Sequence, residues 1–542
     1  MKIATVVLGA VAAFALTACE ATITARTIPA ADVTHSSARL RSEGRCTDVK
    51  VSGEWWYEYR RVGAPTWTVA GPRRRFACTG PTPVAAAASE QVTGLVSDAA
   101  YEFRVAADTD PAGGQRHWLD GAGTVSGTNY TRFTTQAPPS VAPRSAFALR
   151  DSIGVVTHIV YYDTAYGRWD QIVWRLAELG IKHVRDGIYA NPGWRDWNER
   201  YYRAVEQAAS LGIKFNYGVS GNDFGTIDQR LAAIAGRLSG TAASIEGENE
   251  HDLFVGGDNW AARLAYLQAA LYAAVKWHPS AEIRALPVVG PSFGTWDGQE
   301  RFGAYNPTGW MDFGNIHPYT GGDSPNPFSV ALNLQKATAV SGSKPVFATE
   351  AGFHTALHMP AGANQPPVSE QAQAVYVLRT LLEHFAMGIR RTFLYELIDE
   401  APDPAGTNAE LHFGLLRNDY SPKPAFGALR NLLAILSRQE PASLRSLRVG
   451  VAGGTSDLRQ LTLQRLDGTY LIFLWRTARV WDRDHRRPLS VSPVRLTVSL
   501  PDASRVTLIN PVVSTFEWPL PIQDRKVQID LGADPVALHV TD

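Results

Sequence analysis

Cysteine is nearly absent from this chain, with three in 542 residues. Because Cys19 closes the first apolar stretch, Cys46 and Cys78 are the remaining pair. A metal site needs more ligands than two cysteines offer, and no histidine cluster lies near them in the sequence. In an oxidising compartment we expect a disulfide between them. It would stabilise its domain by roughly 3–4 kcal/mol, because it restricts the unfolded chain.

A net charge is also lacking, since Lys+Arg and Asp+Glu both number 52. This balance excludes the basic surface expected of a nucleic-acid-binding protein. Hydrophobic residues make up 45% and charged residues 19% of the chain, so it can bury large cores. The length predicts about two to four domains. We expect a monomer without a nucleic-acid partner.

Apolar runs long enough to span a membrane are missing after the N-terminus. Lys2 and the apolar run of residues 3–16 are typical of a targeting signal, and that run is too short to span a bilayer. Residues 16–19 (Leu-Thr-Ala-Cys) resemble a bacterial lipobox, in which the cysteine becomes the lipidated first residue. An ordinary secretory peptide with a chance cysteine is the alternative. We therefore predict that residues 1–19 direct export, and that Cys19 anchors a cell-surface lipoprotein unless the protein is secreted.

Residues 20–137 alternate between apolar and polar side chains and show no helical period, which predicts a small β-sandwich. Trp55 or Trp56 falls in a core strand, Tyr101 opens a later strand, and Phe133 lies in the last one. These features resemble a fibronectin type III module. The resemblance implies an accessory domain without catalysis of its own, followed by a linker over residues 138–146.

From residue 147 to residue 438 strands and helices alternate, and eight strand–helix units are counted. The predicted strands are residues 152–158, 181–186, 213–218, 244–250, 283–288, 311–317, 345–349 and 391–395. Eight such units predict a (β/α)₈ barrel. A doubly wound open sheet is the alternative, but no Gly-rich phosphate loop follows an early strand.

Residues 439–542 carry short alternating strands without helical signal, which predicts a second β-sandwich. Such a domain binds carbohydrate or packs on the barrel, and we favour packing. The predicted fold class is therefore α/β, a (β/α)₈ barrel flanked by an N-terminal and a C-terminal β-sandwich.

Two carboxylates stand at the ends of predicted barrel strands. Glu250 ends strand four, and Glu350 ends strand seven. The C-terminal ends of barrel strands meet on one face, so we expect the two side chains to share a pocket. A pair of carboxylates is what cleavage of a glycosidic bond requires. Neither His-x-His nor His-Glu-x-x-His spacing occurs, so we predict no catalytic metal and no cofactor.

Residues 147–438 resemble a clan A glycoside hydrolase, one of a group of retaining barrel enzymes. In that clan the general acid/base is a Glu preceded by Asn at the end of strand four, and the nucleophile is a Glu at the end of strand seven. The resemblance implies these roles for Glu250 and Glu350, and a hydrogen bond from Asn249 to the sugar 2-hydroxyl. Glu246 and Glu248 are predicted to be structural carboxylates, with Glu248 standing where proline is common.

The resemblance also implies a set of substrate-site residues. Arg185 ends strand two, where the clan often has an Arg that keeps the nucleophile ionised; a surface ion pair is the alternative. His317 and Tyr319 end strand six, where a Tyr hydroxyl often lies beside the nucleophile. His158, at the end of strand one, contacts the substrate or is a structural histidine. Tyr395 stands at strand eight, where many relatives have a Trp as a sugar platform.

The leading hypothesis is an exported retaining glycosidase that cleaves a polysaccharide or glycoconjugate by double displacement. A carbohydrate-binding pseudoenzyme and a cell-surface adhesion protein are the alternatives. The fold does not choose among sugars, or between endo and exo action.

Overall fold

The computed structural model describes most of the chain. The described residues are 22–47, 51–78, 86–108, 116–119, 130–220, 225–255, 257–360, 362 and 365–542. The predicted targeting signal and Cys19 lie outside them, as do the side chains of Cys46 and Cys78, so lipidation and the disulfide stay predictions. Within the described ranges, no helix combines the length and apolar character needed to cross a membrane.

The N-terminal unit consists of two antiparallel sheets. Its strands are β1 (Thr22–Ala31), β2 (Ser37–Thr47), β3 (Val51–Arg61), β4 (Thr68–Cys78), β5 (Ala86–Thr93), β6 (Ala100–Asp108), β7 (Arg116–Leu119) and β8 (Thr131–Thr134). One sheet has the order β1-β2-β5 and the other β4-β3-β6-β7, with β8 also pairing with β6. Tyr57, Tyr101, Phe103 and Phe133 lie in the core between them. The likeness to fibronectin type III stays a prediction.

Eight parallel strands form the barrel, which confirms the predicted fold class. Before it come β9 (Ser140–Val141) and β10 (Arg144–Ser145); its strands are β11 (Ile153–Val156), β12 (His183–Gly187), β13 (Lys214–Gly218), β14 (Ala242–Glu246), β15 (Val288–Val289), β16 (Gly314–Ile316), β17 (Val346–Ala351) and β18 (Arg391–Leu394). Their order is β15-β14-β13-β12-β11-β18-β17-β16. The Gly290 amide closes the ring by donating to the Phe313 carbonyl at 2.8 Å.

The barrel interior is close-packed. All four residues of β11 are buried, as expected for a parallel strand that is covered on both faces. Gly154 in this strand faces the neighbouring strand β18 so closely that a Cβ atom would lie 2.4 Å from the Phe393 ring. Glycine is therefore required where these strands carry a large aromatic side chain inward.

Strand five is shorter than predicted. The sequence prediction placed it at residues 283–288, but Ala281–Ala285 form a short helix and only Val288 and Val289 pair with β14. Pro287 precedes the pair and has no amide hydrogen to donate to a ladder, which restricts the strand to the residues after it.

Eleven helices are found among the described residues. They are α1 (Ala146–Asp151), α2 (Trp169–Leu179), α3 (Arg195–Ser210), α4 (Ile227–Ala235), α5 (His251–Phe254), α6 (Trp260–Lys276), α7 (Ala281–Ala285), α8 (Gly298–Gly303), α9 (Pro327–Ser341), α10 (Glu370–Ala386) and α11 (Pro424–Ile435). Local signals set their ends: Thr226 and Gln229 form a capping box at the start of α4, and Gly180 ends α2 with φ 71°.

The C-terminal unit is a second β structure, with two main sheets and two further pairs of strands. Its strands are β19 (Leu447–Arg448), β20 (Gly450–Ala452), β21 (Leu458–Gln464), β22 (Tyr470–Arg476), β23 (Trp481–Asp482), β24 (Arg487–Pro488), β25 (Val494–Ser499), β26 (Arg505–Ile509), β27 (Trp518–Pro519), β28 (Lys526–Leu531) and β29 (Val536–Thr541). The larger sheet has the order β10-β21-β22-β29-β26-β27, the smaller has the order β20-β25-β28, and the two-stranded pairs are β19-β9 and β23-β24. The predicted linker over residues 138–146 therefore contains two short strands, β9 and β10, that pair with this unit.

The C-terminal unit packs on the barrel through α10, which is buried on nearly all of its faces. The fully buried Glu383 accepts hydrogen bonds from Arg459 at 3.0 and 2.6 Å and from the Trp475 indole at 3.2 Å. The buried Arg379 donates to the Ala478 carbonyl at 2.6 Å. A helix buried all round is expected where it is enclosed between two layers.

We expect Arg459→Ala to lower the free energy of unfolding by roughly 3–5 kcal/mol, because the Glu383 carboxylate stays buried without its charge partner. Guanidinium denaturation followed by tryptophan fluorescence measures the loss. Arg430→Ala is the matched control: it removes an exposed ion pair with Glu178 and should cost about 0–1 kcal/mol. Equal losses in the two variants would contradict a buried ionic contact between the units.

Candidate active site

The predicted catalytic carboxylates lie on one face of the barrel. Glu350 lies within β17, and Glu250 follows β14 at the start of α5. Glu250 has φ 44°, a left-handed conformation that is uncommon for a residue with a side chain and clusters at functional sites. Its backbone amide donates to the Ser292 hydroxyl at 3.1 Å, and the backbone amide of Asn249 donates to the Ser220 hydroxyl at 2.9 Å. These contacts hold the turn that carries the carboxylate.

His317 lies between the two carboxylates. Its Nδ1 atom is 2.7 Å from Glu250 Oε1 and 3.5 Å from Glu350 Oε2. One oxygen of each carboxylate and one ring nitrogen all lie within 4.8 Å of one another. Glu250 and Glu350 therefore face each other across a single pocket, although exactly 100 positions separate them in the sequence.

Arg185 connects the two sides of this pocket. Its guanidinium donates to Glu350 Oε1 at 2.6 Å, to both oxygens of Glu246 at 2.9 Å and to Asn249 Oδ1 at 2.6 Å. The Asn249 oxygen also accepts from the Ser292 hydroxyl at 3.2 Å. The side-chain oxygen of Asn249 is thus fixed toward Arg185, so its side-chain nitrogen is the atom available to bind a ligand.

Glu246 has a larger part in the site than the sequence indicated. It is fully buried and accepts hydrogen bonds from Arg185, from Asn216, from the Asn315 amide at 3.2 Å and from the Thr349 hydroxyl at 2.9 Å. The signal that could have revealed this was the pair Asn216 and Asn315, each a polar residue between two apolar neighbours in its strand. Glu246 fixes Arg185, which in turn contacts Glu350.

Glu350 is kept ionised by its neighbours. Burial raises its pKa, but the charges of His317 and Arg185 and the hydrogen bonds from Tyr319 and Arg185 outweigh burial and bring it below the ordinary value of 4.5. The Tyr319 hydroxyl donates to Glu350 Oε2 at 2.7 Å. At neutral pH the carboxylate therefore carries a negative charge and both of its oxygens are held in place.

The proton arrangement on His317 follows from its hydrogen bonds. Nε2 is 3.0 Å from the Thr349 hydroxyl oxygen, whose own proton points to Glu246 at 2.9 Å or Asn315 at 2.8 Å. The Thr349 oxygen therefore accepts from Nε2–H, which leaves Nδ1 to share a proton with Glu250. Burial lowers the pKa of His317, and the charge of Glu350 and the contact with Glu250 raise it, with a net increase.

His158 and Tyr395 border the pocket on the side of Glu350. Burial lowers the pKa of His158 to about 4, so its imidazole is neutral at physiological pH. Its ring lies flat on Tyr161 at 4.6 Å and edge-on to Tyr395 at 5.7 Å. The Tyr395 hydroxyl donates to Glu410 at 3.1 Å. Asp186 fixes the segment that carries His158, by accepting from the Thr157 hydroxyl at 2.6 Å and the Ile159 amide at 3.0 Å.

Two groups of described residues have ligand atoms close enough to hold a metal ion. One is Glu250, His317 and Glu350, and the other is His158, Glu396 and Glu400. In the first group Arg185 lies 2.6 Å from Glu350 and would repel a cation. In the second group the carboxylates have no arginine or lysine among their ion-pair partners in the described part of the chain.

Comparison with known proteins gives matches in structure alone. No family model and no curated protein matches the sequence. A monomeric β-xylosidase from Caulobacter crescentus CB15 is similar with a TM-score of 0.50 and 16% identity, over 74% of this chain and 97% of that chain. This likeness shows the shared barrel fold.

Two further matches have lower TM-scores. Bacteroides uniformis β-glucuronidase 2, covalently bound to cyclophellitol-6-carboxylate aziridine, has a TM-score of 0.40 and 11% identity over 95% of this chain and 61% of that chain. An active-site mutant of Rhizomucor miehei β-1,3-glucanosyltransferase with laminaritriose has a TM-score of 0.38 and 16% identity, over 51% of this chain and 97% of that chain. This chain thus spans 61% of the length of the glucuronidase.

Replacing Glu246 tests the buried network directly. Glu246→Gln keeps the shape of the side chain but places an amide among donors, and it leaves Arg185 with a single carboxylate. We expect the free energy of unfolding to fall by roughly 3–5 kcal/mol. Glu300→Gln, on an exposed helix position, is the control and should cost no more than about 0.5 kcal/mol. A Glu246→Gln variant as stable as the control in thermal denaturation would show that this carboxylate does not hold the site together.

Proposed function

We propose that this protein is a retaining glycoside hydrolase that cleaves O-glycosidic bonds by double displacement. The observation that carries the proposal is the approach of Glu250 and Glu350, with an oxygen of each within 4.8 Å. Retaining enzymes separate their two carboxyl groups by about 5–5.5 Å, whereas inverting enzymes need about 6.5–9.5 Å to admit a water. The observed spacing supports direct attack on the sugar by one of the carboxylates.

Glu350 is the nucleophile in this proposal. Its low pKa supports an ionised carboxylate, and Tyr319 and Arg185 orient its two oxygens toward the pocket. Attack on the anomeric carbon forms a glycosyl ester and consumes the negative charge. The Asn249 amide nitrogen is the donor available for the sugar 2-hydroxyl, since Arg185 and Ser292 occupy its oxygen.

Glu250 is the general acid and then the general base. In the first step it gives the proton that it shares with His317 to the leaving oxygen. Loss of the charge on Glu350 removes the main cause that raises the pKa of His317. In the second step Glu250 takes a proton from the water that hydrolyses the ester, which restores the starting state.

The structurally similar protein from Caulobacter crescentus is a β-xylosidase, which agrees with this chemistry on the same barrel fold. The partner in our proposal is a carbohydrate, and the sequence supports export with an anchor at Cys19 or secretion. A binding or adhesion role without catalysis does not require a hydrogen-bonded network that keeps Glu350 ionised.

Replacement of the carboxylates tests the proposal. We expect Glu350→Gln to lower kcat by at least about 10⁴-fold on every substrate of the wild type. Glu250→Gln should lower kcat/KM by about 10²–10⁴-fold on polysaccharides, but much less on dinitrophenyl glycosides, whose leaving group needs no proton. On the dinitrophenyl glycosides kcat should still fall, because hydrolysis of the glycosyl ester needs Glu250 as the base. Rates on a panel of aryl glycosides and polysaccharides measure both effects.

Glu300→Gln is the control for these variants and should keep wild-type rates. Full activity of Glu350→Gln would contradict the assigned nucleophile. Absence of turnover by the wild type on the whole panel would favour the non-catalytic alternatives.

The pH profile gives an independent test. Activity should fall on the acid side as Glu350 is protonated, with a limb below pH 4.5 because its pKa lies below that value. His317→Gln removes the positive charge facing Glu350, so the pKa of Glu350 rises and the acid limb of the profile should move to higher pH. The pH dependence of kcat/KM measures the shift. His485→Gln, on the exposed hairpin β23–β24, should leave the profile unchanged, and an unshifted acid limb in His317→Gln would contradict the electrostatic account.

A further inference from the structure

The pocket wall beside Glu350 is continuous with a group of carboxylates that the proposed reaction does not use. Starting at Tyr319, aromatic rings follow one another at 5.9 Å to Phe413, 5.2 Å to Tyr395 and 5.7 Å to His158. Three carboxylates lie along this wall, namely Glu396, Glu400 and Glu410.

With Glu350 as the nucleophile, the wall lies on the glycone side of the pocket. Glu250 protonates the leaving group, and it lies beside a segment that is not part of the aromatic wall. That segment contains Gly294, where an added Cβ atom would lie 3.1 Å from Glu250 Oε2. The aromatic wall instead reaches Glu350 through the Tyr319 hydroxyl. The sugar that becomes attached to Glu350 is therefore the part of the substrate that faces the carboxylates.

No positive side chain neutralises this wall in the described part of the chain. His158 lies 3.5 Å from Glu396 and 3.9 Å from Glu400, but burial lowers its pKa to about 4, so the imidazole is uncharged and forms no ion pair with them at neutral pH. Glu410 has a hydrogen bond from Tyr395 and no ion pair with a described lysine or arginine. Burial, together with the charges of Glu410 and Asp163, raises the pKa of Glu400 to about 7.

Two buried polar atoms in this wall have no hydrogen-bond partner in the described structure. One is Oε1 of Glu396, which is fully buried while the Tyr166 hydroxyl donates to its other oxygen at 2.9 Å. The other is Nε2 of His158, which is close to both Glu396 and Glu400. Both atoms are closed off from solvent, so they belong to a polar interior behind the wall and do not themselves contact a sugar.

We propose that this wall selects a glycone without an acidic group, that is, a neutral sugar or an amino sugar, and that Glu400 and Glu410 determine this specificity. This inference rests on the proposed function. Sugar hydroxyls and an ammonium group are donors to carboxylates and to a neutral imidazole. A uronic acid would instead place a negative charge against carboxyl groups whose pKa values are already raised by burial and by neighbouring carboxylates.

Matched pairs of substrates test the wall. We expect the kcat/KM of nitrophenyl glucoside to exceed that of the glucuronide by at least 100-fold, and likewise galactoside over galacturonide, with both anomers assayed. The two members of each pair differ at C6 alone. Glu410→Lys, at an exposed position, should narrow the ratio at least tenfold by adding a cation to the wall, and Glu400→Gln should narrow it by removing a carboxylate.

Glu440→Lys is the matched control. Residue 440 follows α11, whose C-terminal end lies at the opposite face of the barrel. The variant should therefore leave the ratio of neutral to acidic substrate hydrolysis unchanged. A wild-type enzyme that hydrolyses a uronide as fast as its neutral partner would overturn the inference and keep the proposed function. Failure to hydrolyse any glycoside, neutral or acidic, would overturn the proposed function and the inference together.

Discussion

The ion contact on which the site depends joins Arg185 to two buried carboxylates, Glu246 and Glu350. Taking three charges out of water is costly, and it is offset when geometry is good and the remaining lone pairs are satisfied. Here the contacts are 2.6–2.9 Å, and Asn315 and Thr349 bring further donors to Glu246. Several strands of the barrel thus converge on one guanidinium, and the charge of Glu350 is a consequence of that packing.

Much of this arrangement could be predicted from the sequence, because parallel barrel strands end on one face. Counting strands therefore predicted that Glu250 and Glu350 share a pocket, and the resemblance to clan A implied that Arg185 and Tyr319 lie beside them. The alternation of strands and helices along the sequence likewise predicted the fold class. The strand bounds were predicted less well: strand five has only two residues after Pro287, too few for a periodic signal, and strand four ends at Glu246, four residues before Glu250.

What could not be predicted depends on side chains that meet across non-neighbouring strands. Nothing in the local sequence shows that the His317 ring lies between both carboxylates, or that Glu246 holds Arg185. Asp399 looks like a loop charge, yet it is buried in an ion pair with Lys423 at 2.8 Å. Such contacts arise from three-dimensional packing, and neither periodicity nor spacing records them.

The central claim is that Glu350 attacks the sugar, while Glu250 donates a proton to the leaving group and then accepts one from water. The most direct test is the anomeric configuration of the first product, read by proton NMR before mutarotation equilibrates it. Two displacements at the anomeric carbon invert it twice, so the account predicts a product with the configuration of the substrate. A first product of inverted configuration would contradict the account, because it would require water in place of Glu350 as the attacking group.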